Sequence, residues 1–260
     1  MARFVLKASR GTHPMRSYSL VVVALLLVAC ASSSEPTVTV DSFCQSKAQA
    51  ECQIASRCGN QVARCVDARR TKCLSAQASQ TTGTRVFRPA NTQACVDKTN
   101  TVYAKSAITP ADMTELDQVC GRVVQGTVAS LSGCTTDFDC VGALICDKSL
   151  CAPKVVKKLT ELCGNPGELC DVGAYCAAVG GSRQCLAKKN SGEACDASQL
   201  CVETQRCAIT CQPRLPSGGP CASNDDCAPT APYCDPYLSN KCDAGLAFAP
   251  GAAACKDYGG

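Results

Sequence analysis

The sequence predicts a small disulfide-rich fold: an N-terminal stapled α-helical bundle over residues 41–125, then tandem four-cysteine β-hairpin/loop repeats with a partial fifth over 126–260. Three observations predict it. The 260-residue chain carries 25 cysteines, yet only 4% of it is aromatic and tryptophan is absent, so covalent staples rather than a large core hold it. Near residue 125 the cysteines pass from helix-like sequence into short loops rich in Gly, Pro, Asp and Asn. Beyond that point they recur four at a time, with first-cysteine separations of 29, 32 and 26 residues.

The N-terminus sets the compartment. Arg3, Lys7, Arg10 and Arg16, with no acid among them, precede the unbroken apolar run Leu20 to Ala29, and the polar stretch Ala31-Ser32-Ser33-Ser34-Glu35-Pro36 follows. A basic n-region and a short apolar h-region make residues 1–29 a secretory signal peptide, and the apolar run is too short to span a bilayer. Met15 offers an alternative start that gives a shorter signal. Leu27-Val28-Ala29-Cys30 resembles a bacterial lipobox. The resemblance implies that Cys30 is diacylated with palmitate-type chains and becomes the new N-terminus, leaving residues 30–40 as a lipidated tether. In that family an Asp after the lipidated cysteine retains the protein at the inner membrane. Here the residue is Ala31, which implies an outer-membrane or cell-surface location facing an oxidising compartment.

Charge and histidine exclude several functions. The signal holds four of the 26 Lys and Arg and none of the 22 Asp and Glu, which leaves 22 of each sign in the mature part. A neutral chain poor in aromatic residues has neither the field nor the stacking platforms that nucleic acid requires, so none is expected as a partner. The single histidine, His13, lies in the signal, which removes imidazole as base, shuttle or ligand from the mature protein. No CxxC or CxC occurs, the tightest spacing being Cys207 to Cys211, so zinc knuckles and thioredoxin-like pairs are not expected either. No pair of carboxylates stands out for acid/base work. No metal, cofactor or catalytic residue is therefore expected, and the chain does not read as an enzyme.

Within 41–125, Asp41 or Ser42 reads as the N-cap of a helix over Ser42 to Ser56, with Phe43, Ala48, Cys52 and Ala55 near one face. Arg57-Cys58-Gly59-Asn60 reads as a turn. An antiparallel helical hairpin about this turn brings Cys44 opposite Cys73 and Cys52 opposite Cys65 in one register. Cys95 lies in a further helical stretch reaching about Lys105. Thr109-Pro110-Ala111-Asp112 supplies a cap, a first-turn proline and an acid, opening a helix that runs to Cys120 and stops at Gly121. The cysteines of this region, Cys44, Cys52, Cys58, Cys65, Cys73, Cys95 and Cys120, are odd in number, so one must find its partner outside.

The second region divides into four units: Cys134, Cys140, Cys146, Cys151; Cys163, Cys170, Cys176, Cys185; Cys195, Cys201, Cys207, Cys211; and Cys221, Cys227, Cys234, Cys242. Ser132-Gly133, Ser191-Gly192-Glu193-Ala194 and Ser217-Gly218-Gly219-Pro220 precede first cysteines, and basic linkers such as Pro153-Lys154, Lys188-Lys189 and Pro213-Arg214 follow fourth ones. Each unit is too small to bury a core, so two bridges replace one. Three connectivities are open to each unit, of which first to third with second to fourth makes a knot of short hairpins, and spacing does not choose among them. Pro250-Gly251-Ala252-Ala253-Ala254-Cys255 looks like the opening of a fifth unit, and Cys255 paired with the odd cysteine of the helical region balances the count.

Gly133-Cys134-Thr135-Thr136-Asp137-Phe138-Asp139-Cys140-Val141-Gly142-Ala143-Leu144-Ile145-Cys146 and Cys221-Ala222-Ser223-Asn224-Asp225-Asp226-Cys227 resemble the Dickkopf N-terminal cysteine-rich repeat, and Gly164-Asn165-Pro166-Gly167 in the second unit departs from it. The whole layout is similar to cysteine-rich lipoproteins common in myxobacteria. The Wnt-receptor antagonism of the animal Dickkopf family does not transfer, because no receptor-contact motif is present. Asp137 with Asp139, and Asn224 with Asp225 and Asp226, read as turn residues, with calcium binding as the alternative. Lys154, Lys157 and Lys158 around Val155-Val156 read as a solvated linker, with contact to an anionic polymer as the alternative. The functional expectation is a lipid-anchored envelope or surface protein, joined to the membrane by its N-terminal lipid and acting as a disulfide-framed binding or adhesion module for an extracellular protein or glycan. The alternative is an extracellular protease inhibitor presenting Gln212 to Pro220.

Overall fold

Thr39 caps the first helix: its hydroxyl accepts from Ser42 N at 3.1 Å, and Ser42 Oγ accepts from Thr39 N at 3.0 Å. The computed structural model describes residues 37–81, 83–196, 200–238 and 240–259, so the signal segment 1–29 and Cys30 lie outside the described residues. Helix α1 (Val40–Glu51) follows the cap, which is thus Thr39 rather than Asp41 or Ser42. A 3-10 turn, Cys52–Ile54, then ends the helix earlier than the expected Ser56. Gly59, at φ 72°, makes the left-handed stop into α2 (Val62–Gln80). Disulfides Cys44–Cys73 and Cys52–Cys65 staple α1 to α2 in a single register.

The chain continues through β1 (Arg85–Phe87), α3 (Thr92–Tyr103), β2 (Ala107–Ile108), α4 (Pro110–Gly121) and β3 (Val124–Gly126). Thr109 and Asp112 cap α4 reciprocally, with Pro110 in the first turn, and Cys95–Cys120 ties α3 to α4. β1 pairs antiparallel with β3. The short strands of this region carry no alternating apolar pattern, and the helical reading of the sequence did not include them.

Beyond β3 the described residues form short ribbons: β4 (Ile145–Asp147) with β5 (Leu150–Ala152), β6 (Val155–Lys157) with β7 (Glu168–Cys170), β8 (Ala174–Val179) with β9 (Ser182–Ala187), β10 (Gln205–Ala208) with β11 (Thr210–Pro213), and β12 (Tyr233–Asp235) with β13 (Lys241–Asp243). All are antiparallel except β6–β7, which is parallel. The last strand, β14 (Leu246–Ala247), returns to pair with β2 of the helical region.

That return defines the architecture. Phe248, Ala254, Cys255 and Tyr258 join Ile54, Val102, Tyr103, Ile108 and Leu116 in one buried cluster. Cys58 bonds to Cys255 across 197 residues of sequence, and Asn60 Nδ2 donates to Cys255 O at 3.0 Å. Residues 250–255 therefore do not open a fifth four-cysteine unit; they lead into a 3-10 helix, Ala253–Tyr258, that closes the chain onto its helices. Thr37–Gly260 forms one unit, so residue 125 marks a change in the manner of stapling rather than a break in packing.

Candidate functional site

All 24 cysteines after Cys30 are joined among the described residues, in twelve disulfides. Each four-cysteine segment links first to third and second to fourth: Cys134–Cys146 and Cys140–Cys151, Cys163–Cys176 and Cys170–Cys185, Cys195–Cys207 and Cys201–Cys211, Cys221–Cys234 and Cys227–Cys242. The third and fourth cysteines stand directly opposite across each hairpin, as Cys146 with Cys151 and Cys207 with Cys211 do. Opposed side chains share one face of a ribbon, so each sulfur can reach back to a different upstream cysteine. Sulfurs from three cysteines approach within 4.8 Å in every segment, but all are disulfide-bonded and offer no thiolate to a metal.

The same backbone hydrogen bonds recur with the bridges. The residue three before the first cysteine donates its N–H to the fourth cysteine's carbonyl: Leu131 to Cys151 at 2.7 Å, and Thr160 to Cys185, Gly192 to Cys211 and Gly218 to Cys242 at 2.8 Å each. All four donors are left-handed, at φ 64°, 69°, 84° and 81°, a conformation natural to glycine and imposed here on Leu131 and Thr160. The first cysteine donates to the residue two before the fourth: Cys134 to Ser149, Cys163 to Arg183, Cys195 to Ile209 and Cys221 to Asn240. The residue six before the first cysteine (Val128, Lys157, Lys189 or Leu215) runs parallel to the chain around the second cysteine. Outside this frame most side chains change from segment to segment, the turn residues shared by the first and fourth segments excepted.

The acidic clusters serve the turns. Asp137 Oδ1 accepts from Cys146 N and Asn224 Oδ1 from Cys234 N, both at 2.7 Å. Asp139 Oδ2 accepts from the N–H groups of Thr135 and Thr136, and Asp226 Oδ2 from those of Ala222 and Ser223. Each of these four oxygens accepts from backbone donors of its own turn, which is the turn role the sequence suggested. Burial alone would raise the Asp139 carboxyl, but the guanidinium of Arg85 at 2.7 Å and those two N–H groups hold it below its ordinary value. Glu168, in the second segment, is held at about 2 by the N–H and side-chain amide of Asn165 and by Lys157.

Gln212 to Pro220 is largely exposed and is anchored at Arg214 and Leu215. Leu215 N–H donates to Asp226 O at 2.7 Å, and its carbonyl accepts from Ala228 N at 2.8 Å. The Arg214 side chain donates to Gln205 O at 3.3 Å.

One polar group of sites escaped the sequence reading. Glu51, 4% exposed, accepts from Lys47 and from Arg69 Nε at 2.6 Å, and Arg69 lies over the Tyr258 ring, 5.0 Å from its centroid. The Tyr258 hydroxyl donates to that of Tyr103 at 3.2 Å. Burial raises the Glu51 carboxyl, and the charges of Lys47 and Arg69 overcome it, so the net shift is downward. The tyrosines are pushed up, chiefly by burial. Nothing in the local sequence flags this network, because Glu51, Arg69, Tyr103 and Tyr258 come from four separate segments. It fixes α1 against α2 and seats the C-terminal turn. The open groove between α1 and α3 is lined by hydroxyls and amides, including Ser42, Ser46, Gln49, Gln53, Gln93 and Asn100, over the buried Phe43, and no ionisable side chain lines it.

Neither a protein-family model nor a curated protein nor a solved structure matches the chain. What is established therefore rests on the geometry: a disulfide-rich protein, helical at its N-terminal side and built of short strand pairs beyond, suited to an oxidising extracellular environment. Among the described residues no helix is long and apolar enough to cross a membrane.

Proposed function

We propose that this is a lipid-anchored protein of the outer membrane or cell surface that acts as a binding or adhesion module toward an extracellular protein or glycan. Four copies of one disulfide-framed repeat display its loops. The observation that carries this reading is the recurrence of one bridge pattern and one set of backbone hydrogen bonds in all four segments, while most exposed side chains change. A constant frame with variable loops is economical for recognition, because loop residues change without cost to the fold. The likeness to Dickkopf N-terminal repeats and to myxobacterial cysteine-rich lipoproteins belongs to this proposal, as do the lipid on Cys30 and the absence of enzymatic activity.

Expression of the full chain in a bacterium fed labelled palmitate tests it. Label on the chain that is lost in Cys30→Ala, with the protein digested by protease added to intact cells, is the expected result. An unlabelled chain that leaves the membrane fraction overturns the anchor. Failure of the oxidised protein to retain any partner from cells or secreted material overturns the binding role.

A further inference from the structure

Among the described residues strand β6 has one partner and one open edge. It pairs in parallel with β7 alone, through Val155 N to Gly167 O at 2.9 Å and Asp171 N to Lys157 O at 2.8 Å. Gly167 has no side chain to hold the strands apart, and a Cβ there would strike the carbonyl of Pro153. Residues of a parallel strand alternate in the side to which they bond, so Lys154 and Val156 turn their N–H and C=O groups to the open edge. The corresponding linker residues Val128, Lys189 and Leu215 make isolated bridges only, so this strand belongs to the second segment.

The side chains along it are apolar and uncovered: Val155 is 42% exposed, Val156 54%, Leu159 53% and Leu162 57%. Lys154 and Lys158 stand exposed at either end of the valines, while Lys157 is held by Glu168 at 3.1 Å. The nearby Glu161 carboxylate accepts from Lys158 N at 2.7 Å.

Three kinds of cover can be weighed. A lipid surface would bury the N–H and C=O of Val156 with nothing to bond them. The same strand of a second copy would set Lys154, Lys157 and Lys158 against their own kind, the usual way in which an edge is kept from pairing with itself. An extended segment with β-branched residues between acidic ends satisfies the backbone edge, the valines and the lysines together.

We propose that the open edge of β6 is a docking strand that takes up an extended, acid-ended segment of a partner protein by β-strand addition. This deepens the binding-module reading and rests on it. The probe is a fluorescent peptide alternating Thr and Val between paired terminal aspartates, titrated into the detergent-solubilised, oxidised full chain. Saturable binding is expected, weakened at least tenfold by Val156→Pro, which removes the donor on the open edge. Lys154→Glu combined with Lys158→Glu, two exposed positions that leave folding intact, is expected to weaken it as much, and so is exchange of the peptide's aspartates for lysines.

Absence of saturation at millimolar peptide overturns the proposal. Equal binding by Val156→Pro, verified by mass to retain its disulfides, overturns it too, as does equal binding of the lysine-ended peptide. Binding to phosphatidylglycerol vesicles in place of the peptide would transfer the strip to a lipid surface. A negative peptide result leaves palmitate labelling and partner retention as they stand, so failure here and failure of the anchored-module reading are separate outcomes.

Discussion

The four-cysteine segments are stapled more densely than the helical region, with 16 cysteines over residues 134–242 against seven over 41–125, and the two are held by different means. In the helical region the bridges join surfaces that already pack: Ile54, Val102, Ile108, Leu116 and Phe248 are buried around Cys52–Cys65 and Cys58–Cys255. In the fourth segment the buried cluster is Cys221, Cys227, Ala231 and Cys242, with Leu215 and Cys234 against it. There the disulfides are the core. A bridge among helices adds to a fold, whereas a bridge in a segment constitutes it, which is why the segments keep their cysteines while changing nearly everything else.

The strongest way to break this contrast is to remove one bridge from each region. Cys221→Ser with Cys234→Ser deletes a staple and part of the cluster, at a cost of about 2–4 kcal/mol. Amide protection should collapse throughout 215–242 while the helices keep theirs. Cys95→Ser with Cys120→Ser should leave α3 and α4 protected, because Phe43 and Val123 remain packed beside them. Hydrogen exchange read by mass spectrometry distinguishes the two. Equal, global loss in both variants would show that the regions are stabilised alike.

The second test probes what the helices have and the segments lack, a buried ionic network. Glu51→Ala leaves Arg69 without its carboxylate under the Tyr258 ring and should cost on the order of 3 kcal/mol in chemical denaturation. The C-terminal turn should loosen with it, visible as faster exchange at 253–258. An unchanged midpoint would mean that the network is ornamental to the packing.

How far the sequence disclosed this arrangement depended on whether the signal was local. The register of Cys44–Cys73 with Cys52–Cys65 followed from helical spacing, and the start of α4 followed from Thr109, Pro110 and Asp112. The odd count of cysteines in the helical region pointed outward to Cys255, but only the fold identified Cys58 as its partner. Connectivity inside the segments stayed open because any order of four cysteines can be closed over such short loops; the cross-hairpin pairing that chooses it is a tertiary fact. The pairing of β14 with β2 and the Glu51 network were illegible for the same reason, since each joins residues far apart in sequence, whereas the Thr39 cap is local and was missed because Asp41 and Ser42 beside it are capping residues too. The turn role of Asp137 and Asn224 was legible in kind, but their acceptance from the third cysteine of the segment was not.

A third, smaller effect sharpens the account of the turns. Asp226→Ala and Asp139→Ala each strip two backbone N–H groups of their acceptor and should cost about 1 kcal/mol apiece. Asp139→Ala should be the worse, because Arg85 stands 2.7 Å from Asp139 whereas Arg206 stands 3.7 Å from Asp226. Glu168 supplies a dependence on pH in the second segment. Its folded value of about 2 lies below the ordinary 4.5, so its contribution is full above pH 4.5 and disappears as pH falls through about 2. A carboxyl titration followed by NMR should place its midpoint near 2. A midpoint at the ordinary value would remove the Asn165 amide from the account.

The smallest expected effect is a gain. The residue two before the fourth cysteine is left-handed in three segments, as Ser149 at φ 60°, Ile209 at 72° and Asn240 at 56°. Asparagine suits that conformation and a β-branched residue does not, because its Cβ crowds the carbonyl at a cost of about 1–2 kcal/mol. Ile209 recovers nothing by packing, being 87% exposed. Ile209→Asn should therefore stabilise the third segment by up to about 1 kcal/mol, measured as a higher urea midpoint with the slope unchanged. Arg183 occupies the same position in the second segment without positive φ, because Gly180 and Gly181 turn that hairpin first, so Arg183→Asn should bring no gain and should lose the side-chain bond to Cys176 O at 3.0 Å. Gain in the third segment and none in the second would show that the backbone frame, rather than the side chains it carries, sets the stability of these segments. The reverse would mean that exposed side chains stabilise them after all, and the contrast with the helical core would have to be withdrawn.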